Sequence, residues 1–300
     1  MLQRIFTSIA LAIVWLISRL PMRVVRIVGS GLGLLGYIFA SKRRKIGLKN
    51  LSLCFPEMSE TEKKRIIKAH FKHLLTSALA YGIVFYASLT RLKRIVKLKN
   101  EHYLTEFYSK RPVILLCPHF VGLDLAASRL TTDYIGCSIY SRQKNSIITE
   151  KLKQARLRFG KASGSRIFAR QDGLRPIIRH LRQGQHLFFY LPDQDFGEKD
   201  SVFVPFFAYP HCATVNVLPK LVDMVDAVVV PMAVYSTKDG YEVEFFPAFE
   251  NYPSGNLEQD VIRMNQFIES VVEQHIEEYF WLHKRFKTQP GVKERGLIYK

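Results

Sequence analysis

The sequence predicts an α/β fold with a mostly parallel sheet flanked by helices. From residue 110 onward, short apolar runs alternate with segments of helical periodicity. Strands that alternate with helices indicate a sheet covered on both faces. The chain has 300 residues, 48% of them hydrophobic, which is enough to bury such a core. Strands are predicted at 113–117, 134–141, 186–191, 227–236 and 241–246, and helices near 124–132, 145–160, 174–183, 213–224 and 257–280.

The first 45 residues are predicted to be a membrane anchor region. An uncharged apolar run covers residues 5–18, and a second apolar stretch over residues 24–40 follows Pro21. The first run is shorter than the ~20 residues of a spanning helix, so the anchor either spans the bilayer or is half-inserted. The cleavage pattern of a signal peptide is missing. The basic cluster 42–45 favours the cytoplasmic side and anionic head groups. A buried hairpin in a soluble protein is the alternative.

Residues 46–300 are predicted to form one catalytic domain, because no clear linker interrupts the chain after residue 110. Its first long element is an amphipathic helix over residues 60–86. Ser59 followed by Glu62 matches a capping box, and apolar residues then recur at helical spacing.

The charge balance points to an acidic partner. The chain has 44 Lys and Arg against 26 Asp and Glu, a net charge of +18. Such a surface is typical of proteins that bind nucleic acid, an anionic membrane, or a phosphorylated or carboxylated substrate. The cysteines form no Cys-x-x-Cys pair and no zinc pattern, which predicts reduced thiols in a domain facing the cytosol: Cys54, Cys117, Cys137 and Cys212.

The sharpest local feature is the segment Cys117–Asp124, which reads Cys-Pro-His-Phe-Val-Gly-Leu-Asp. A buried strand ends at Cys117, Pro118 breaks it, and a helix is expected to start near Asp124. His119 and Asp124 then lie at the carboxyl edge of the sheet, where open α/β folds bind ligands. A carboxylate in the first helical turn can return to one imidazole nitrogen and leave the other as a base. The pair has no nucleophile of its own, which suits attack by a substrate hydroxyl.

Two further carboxylates, Asp193 and Asp195, follow the apolar strand that ends at Leu191. They are expected to share the crevice with His119, where they could bind hydroxyl or amide groups or pair with an arginine. A Pro-Asp turn closed by a structural side-chain hydrogen bond is the alternative.

Residues 142–182 carry twelve Lys and Arg against Glu150 and Asp172. The planar guanidinium group suits phosphate and carboxylate, so an anionic ligand is expected here, with a solvated surface as the alternative. Further along, aromatic and basic residues mix over residues 279–290. That composition suits either a membrane interface or packing against the core.

Seven blocks together resemble the late acyltransferases of lipid A biosynthesis, the lauroyl and myristoyl transferase family. They span nearly the whole chain in the family's order: Asn50–Glu57, Pro118–Asp124, Arg142–Asn145, Ala155–Gly160, Leu191–Gly197, Val202–Phe207 and Trp281–Lys287. The resemblance implies the glycerolipid acyltransferase fold in a bacterial inner-membrane protein with its catalytic domain facing the cytoplasm. It also implies direct transfer of a fatty acyl group from acyl carrier protein to a hydroxyl of a 3-hydroxyacyl chain on a Kdo-bearing lipid A precursor. No cofactor, metal or covalent enzyme intermediate is expected.

Carried onto this sequence, the resemblance makes His119 the general base and Asp124 its orienting acid, a position where many members have Glu. Arg156 and Asp193 lie in blocks that the family uses near the substrate, and either Arg156 or Arg158 would be the site arginine.

Arg142 begins a further matching block and is expected to bind substrate. The basic surface suits the acceptor's phosphates and carboxylates, the acidic carrier protein and anionic lipids, whereas nucleic acid is not expected.

Four other functions remain open. Cys117 beside His119 could serve a thiol-based hydrolase or transferase, although Cys117 is expected to face the core. His119, Asp124 and Asp193 could hold a hydrolytic metal. The charge alone would suit a non-enzymatic binder of membranes or nucleic acid. A glycerophospholipid (lysophosphatidate-type) acyltransferase of the same fold is the closest competitor, and the Leu191–Gly197 and Trp281–Lys287 blocks argue against it by resemblance.

Overall fold

The computed structural model describes residues 12, 14–108, 110–141, 146–184 and 186–300, and for residues 146–148 it describes the backbone alone. Nine strands are found there: β1 (Val96–Lys99), β2 (Val113–Leu116), β3 (Gly136–Tyr140), β4 (Arg166–Ala169), β5 (Leu187–Tyr190), β6 (Ser201–Phe206), β7 (Tyr209–Val215), β8 (Val228–Thr237) and β9 (Gly240–Phe245).

Seven of these strands form one sheet in the order β1-β9-β8-β2-β5-β3-β4. Neighbouring strands are parallel except for the antiparallel pair β8 and β9. The predicted mostly parallel sheet is confirmed, and the five predicted strands correspond to β2, β3, β5, β8 and β9. β6 and β7 form a separate antiparallel hairpin that the apolar pattern did not reveal, because Pro205 and Pro210 interrupt its alternation.

Helices cover both faces of the sheet: α1 (Met22–Phe39), α2 (Ser41–Cys54), α3 (Glu60–Tyr86), α4 (Leu89–Ile95), α5 (His102–Tyr108), α6 (Leu123–Leu130), α7 (Ser146–Leu157), α8 (Arg175–Leu181), α9 (Val217–Val225) and α10 (Leu257–Gln274). Alternate residues of β2 point to opposite faces. Val113 and Leu115 join the core beneath α3 and α6, whereas Ile114 and Leu116 join the core beneath α8 and α9.

The predicted helix over residues 60–86 is confirmed as α3, whose first turn is capped by Ser59 accepting from the Glu62 amide. Two other predicted helices are shorter than expected. The helix predicted at 213–224 begins at Val217, because residues up to Val215 extend β7, and the one predicted at 257–280 ends at Gln274.

Within the described residues, α1 is the helix whose length and composition would allow it to cross a membrane, and 22% of it is buried. It corresponds to the second apolar stretch. The first run, residues 5–18, lies mostly outside the described residues. Its described end belongs to a short helical segment, residues 14–19.

α1 packs closely against α3 through two glycines. A Cβ atom at Gly29 would lie 2.5 Å from the Cα atom of Thr76, and one at Gly33 would lie 2.5 Å from the Cα atom of Lys72. Glycines four residues apart let two helix backbones approach, as in helix pairs of membrane proteins. The predicted anchor region therefore contacts the predicted catalytic domain directly.

Two glycines of α1 give a matched test of this packing. We expect Gly33→Ala to lower the free energy of unfolding by about 1–3 kcal/mol, because the new methyl group meets backbone atoms of α3 that cannot turn away. Gly31 has open space around it, so Gly31→Ala should instead raise stability by about 0.5–1 kcal/mol. Thermal melting in detergent measures both, and equal melting temperatures would contradict the packing of α1 on α3.

Candidate active site

Two loops at the carboxyl edge of the sheet bring His119 and Asp193 together. β2 and β5 are parallel neighbours with Leu116 opposite Tyr190, and the Cys117 amide extends this pairing to the Tyr190 carbonyl at 2.9 Å. Each strand is followed by a residue, a proline and then a polar residue, so His119 comes to lie opposite Asp193. The crevice that the sequence predicted for these two residues is therefore present.

Asp193 holds His119 by two hydrogen bonds. Its Oδ1 lies 2.5 Å from the imidazole Nδ1, and its Oδ2 accepts from the His119 amide at 2.7 Å. Burial alone would raise the pKa of Asp193, but the charge and hydrogen bonds of His119, together with Arg285, outweigh burial and lower that pKa. The ionised carboxylate accepts a hydrogen bond from the Nδ1–H group, which leaves Nε2 unprotonated and free to act as a base.

Asp124 occupies a different position from the one expected. It lies in the first turn of α6 and forms an ion pair with Arg156: its Oδ1 lies 2.8 Å from Nε, and its Oδ2 accepts a hydrogen bond from Nη2 at 3.0 Å. The negative charge of Asp124 is the main reason that the pKa of Arg156 is raised, and it outweighs burial, which alone would lower that pKa. The expected contact between Asp124 and the imidazole is corrected: Asp193, not Asp124, binds Nδ1. Likewise, Asp193 contacts the histidine rather than lying free for substrate.

The other predicted site residues lie in different parts of the structure. Arg156 lines the cavity at His119, whereas Arg158 is exposed, lies over the Phe159 ring and donates to the Val84 carbonyl at 3.4 Å. Arg142 lies outside the described residues. Asp195 is buried and accepts a hydrogen bond from the Thr288 amide at 2.7 Å, so this carboxylate has a structural role rather than facing the crevice.

Two cavities of more than 200 Å³ meet at His119 in the described part of the chain. The first, of about 300 Å³, runs between α6, α7 and the strands β3 to β5, and most of its lining is apolar, including Leu123, Ala127, Ile139, Ile167 and Phe189. The second, of about 210 Å³, is lined by Lys153, Arg156, Ser141 and Thr149 among others. The His119 side chain is 26% exposed, whereas that of Asp193 is fully buried, so the imidazole is the member of the pair that a substrate can reach.

The C-terminal aromatic segment packs against the core and supports the His119 loop. Trp281 and Phe286 are buried. The Phe280 amide donates to the His119 carbonyl at 2.9 Å, and the Val121 amide donates to the Glu278 carbonyl at 3.1 Å. Of the two uses predicted for residues 279–290, the structure therefore shows core packing.

Tyr81 is a site residue that sequence reasoning missed. Its hydroxyl accepts from Arg156 Nε at 3.2 Å, and burial followed by the Asp124 charge raises its pKa. Its position on the long helix α3, far along the chain from any motif, gave no signal of this contact.

The chain matches the family model of bacterial lipid A biosynthesis acyltransferases over residues 1–288. It is 32% identical over 293 residues to the lipid A biosynthesis lauroyltransferase of Escherichia coli strain K12, covering 96% of this chain and 94% of that protein. The chain belongs to this family. It is also 31% identical over 290 residues to the lipid A biosynthesis palmitoleoyltransferase of the same strain, covering 95% of this chain and 92% of that protein.

Membership makes this protein an acyltransferase of lipid A biosynthesis. Among solved structures, the 1-acyl-sn-glycerophosphate acyltransferase of Thermotoga maritima aligns at a TM-score of 0.36 and 14% identity, over 84% of this chain and 97% of that one. A likeness of that size carries no argument about the site.

The thiol beside the site of this lipid A acyltransferase lies in the protein interior. Cys117 is fully buried, its Sγ donates to the Leu115 carbonyl at 3.2 Å, and burial followed by the Asp193 charge raises its pKa well above the usual range. A nucleophilic cysteine needs the opposite, an exposed thiol with a lowered pKa. A metal site built from His119, Asp124 and Asp193 is equally disfavoured, because Arg156 binds both oxygens of Asp124.

We therefore expect Cys117→Ala to retain most of the acyl transfer activity. The side chain that is removed contacts only the interior, so the change should appear in the melting temperature rather than in kcat. Rates measured beside the parent enzyme check this, and loss of turnover in a variant that still folds would favour a thiol mechanism.

Proposed function

We propose that this enzyme transfers a fatty acyl group from acyl carrier protein directly to a hydroxyl of a 3-hydroxyacyl chain on a Kdo-bearing lipid A precursor. Family membership supports the lipid A pathway. The observation that carries the finer proposal is the position of His119, which is fixed by a buried carboxylate at the meeting of an apolar and a basic cavity. That arrangement provides a base, a place for a hydrocarbon chain and a place for an anionic acceptor.

The reaction then needs no covalent enzyme intermediate. Nε2 of His119 removes the proton from the acceptor hydroxyl while its oxygen attacks the thioester carbonyl carbon. The tetrahedral intermediate collapses, the carbon–sulfur bond breaks, and the departing thiolate takes the proton back from His119. General-base assistance of this kind contributes about 10²–10⁴-fold.

Arg156 is the group best placed to meet negative charge. The backbone amides near the imidazole are already engaged: those of His119, Phe120 and Val121 donate to Asp193, Pro118 and Glu278, respectively. These three amides are therefore not available to stabilise an oxyanion. In this proposal the guanidinium faces either the oxyanion or an anionic group of the acceptor. Asp124 and Tyr81 hold it in place, which gives Asp124 a role in catalysis without contact to the imidazole.

The apolar cavity is proposed to hold the donor chain, and Ala127 tests this. We expect Ala127→Phe to lower transfer from long-chain donors more than from short-chain donors, because the ring fills part of the cavity that Ala127 lines. Ala127→Ser is the matched control with little change in volume. Rates with carrier proteins of several chain lengths measure the effect, and a uniform loss for all donors would place the acyl chain elsewhere.

We propose further that the protein sits at the bacterial inner membrane with residues 46–300 facing the cytoplasm, where acyl carrier protein is available. The basic cluster 42–45 and the net charge of +18 support contact with acidic carrier protein and anionic lipids. Four free, buried cysteines are compatible with a reducing compartment.

The decisive assay uses detergent-purified protein, acyl carrier proteins of several chain lengths and a Kdo-bearing tetra-acyl lipid A precursor, with product mass as the readout. A mass gain of one acyl group would establish donor and acceptor classes together. Acylation of lysophosphatidate, with no gain on the lipid A precursor, would instead assign the glycerophospholipid reaction.

A further inference from the structure

The outer face of α1 carries an apolar stripe that nothing in the described chain covers. Ile27 and Phe39 are 73% and 80% exposed, and four further exposed residues share their helical spacing: Val24, Val28, Leu35 and Ile38. A contiguous apolar surface of this kind marks a docking site for a membrane or a protein.

The inner face of α1 argues against a span by this helix alone, although its length and composition would allow one. It packs against α3 at Thr76 and Lys72, and the first turns of α3 carry further cationic residues: Lys63, Lys64, Arg65 and Lys68. If α1 crossed the bilayer, Lys72, which contacts Gly33, and Lys68 one turn away would be drawn towards the hydrocarbon, which is costly for charged groups. A helix fixed along a polar domain with one apolar face outward has the geometry of an interfacial helix.

A basic cavity of about 250 Å³ lies at the start of α1, and its lining includes Arg23, Arg91 and Arg94 with Asp239 as the carboxylate. Arg91 donates to the carbonyls of Arg19 and Leu20, whereas its buried Nε has no hydrogen-bond partner among the described residues. Arg23 Nε lies 3.2 Å from Asp239 in a largely exposed pair, a contact that solvent weakens. The lining of this cavity therefore carries a net positive charge, because its three arginines face a single carboxylate.

We propose that α1 lies in the plane of an anionic bilayer surface, with its apolar stripe in the lipid and the phosphate of an anionic phospholipid in the cavity of Arg23, Arg91 and Arg94. The ends of the helix favour lipid over a protein partner. Arg19 lies over the Trp15 ring before α1, and Arg44 lies over the Tyr37 ring at its end. Aromatic and basic residues at both ends are typical of the membrane interface.

This arrangement would place the membrane surface one helix away from the catalytic cavity. Leu74 lies on α3 between the two residues that contact α1, and it lines the apolar cavity at His119. The proposal rests on α1 and on the arginines of this cavity, Arg23 on α1 and Arg91 and Arg94 on α4, so it stands or falls independently of the acyl donor and acceptor.

Vesicle partitioning tests the phosphate site with the full-length protein. Phosphatidylcholine vesicles are compared with vesicles that also contain phosphatidylglycerol. We expect Arg94→Gln to weaken binding to the anionic vesicles about five-fold. Asp239→Asn should strengthen binding, because it removes the carboxylate from the cavity. Arg179→Gln is the matched control: Arg179 is also exposed, but it lies on α8, which packs on the opposite face of the sheet.

Two outcomes of that experiment would overturn the site. Equal loss in Arg94→Gln and Arg179→Gln would mean that overall charge, not this cavity, attracts the protein. Equal binding to neutral and anionic vesicles would mean that no phosphate site contributes.

The orientation of α1 has its own readout. The four native cysteines are free and buried, so spin labels should react with single variants at exposed positions, Ile27→Cys, Leu35→Cys and Phe39→Cys. An in-plane helix predicts the same shallow depth at all three positions. A spanning helix predicts depths that differ by about 18 Å between residues 27 and 39. Labels without lipid contact would indicate a protein partner, and that result or the depth difference would overturn the proposal.

Discussion

We expect His119→Ala to lower kcat for acyl transfer by about 10²–10⁴-fold, because in the proposed mechanism this variant loses the base that activates the acceptor hydroxyl. Asp193 binds Nδ1, so Nε2 is the ring nitrogen that remains available as a base, and alanine provides no substitute for it. KM for both substrates should change little, since the imidazole acts on the transition state more than on binding. Initial rates across a range of acceptor concentrations separate the two quantities.

His211→Ala is the control for this prediction. His211 is an exposed residue of the β6–β7 hairpin and does not line the two cavities at His119. It should retain full activity and the same melting temperature as the parent. Turnover that persists in His119→Ala at a comparable rate would overturn the general-base mechanism.

The second large effect is expected for Asp193→Asn, with a loss of kcat comparable to that of His119→Ala. Asparagine keeps the shape of the side chain but loses the charge, and its amide group can force the imidazole into the wrong tautomer. In serine proteases the same change at the orienting aspartate costs about 10⁴-fold. The combined variant should be little worse than either single variant, because the two residues act as one unit.

Asp124→Asn distinguishes two possible partners of His119: Asp193, which the structure shows, and Asp124, which the sequence alone suggested. Asp124 binds Arg156 and not the imidazole, so we expect this change to act through Arg156, with a smaller loss of kcat than in Asp193→Asn. Melting temperatures show whether each variant is folded. A full loss in Asp124→Asn beside an active Asp193→Asn would restore the original dyad of His119 with Asp124.

Much of the fold could be predicted because its signals are local. The apolar run 113–117 and the helix after Ser59 depend on the periodicity of neighbouring residues, and both are where the sequence indicated. The same local patterns located the prolines that end β2 and β5, and therefore the sheet edge on which His119 and Asp193 lie. The hairpin β6–β7 was missed because its prolines hide the alternation of its strands.

The sequence by itself determined which side chains reach the carboxyl edge of the sheet and that this chain resembles the lipid A acyltransferases. Only the tertiary structure decided which of those side chains pair. Asp124 is five residues from His119, whereas Asp193 is 74 residues away, yet Asp193 binds the imidazole because β5 lies beside β2 in register. Strand order depends on packing between residues far apart in the chain, which no local pattern encodes. The tertiary structure also separates the two arginines: Arg156, in the last turn of α7, lines the cavity, whereas Arg158 lies past the end of that helix and contacts Val84.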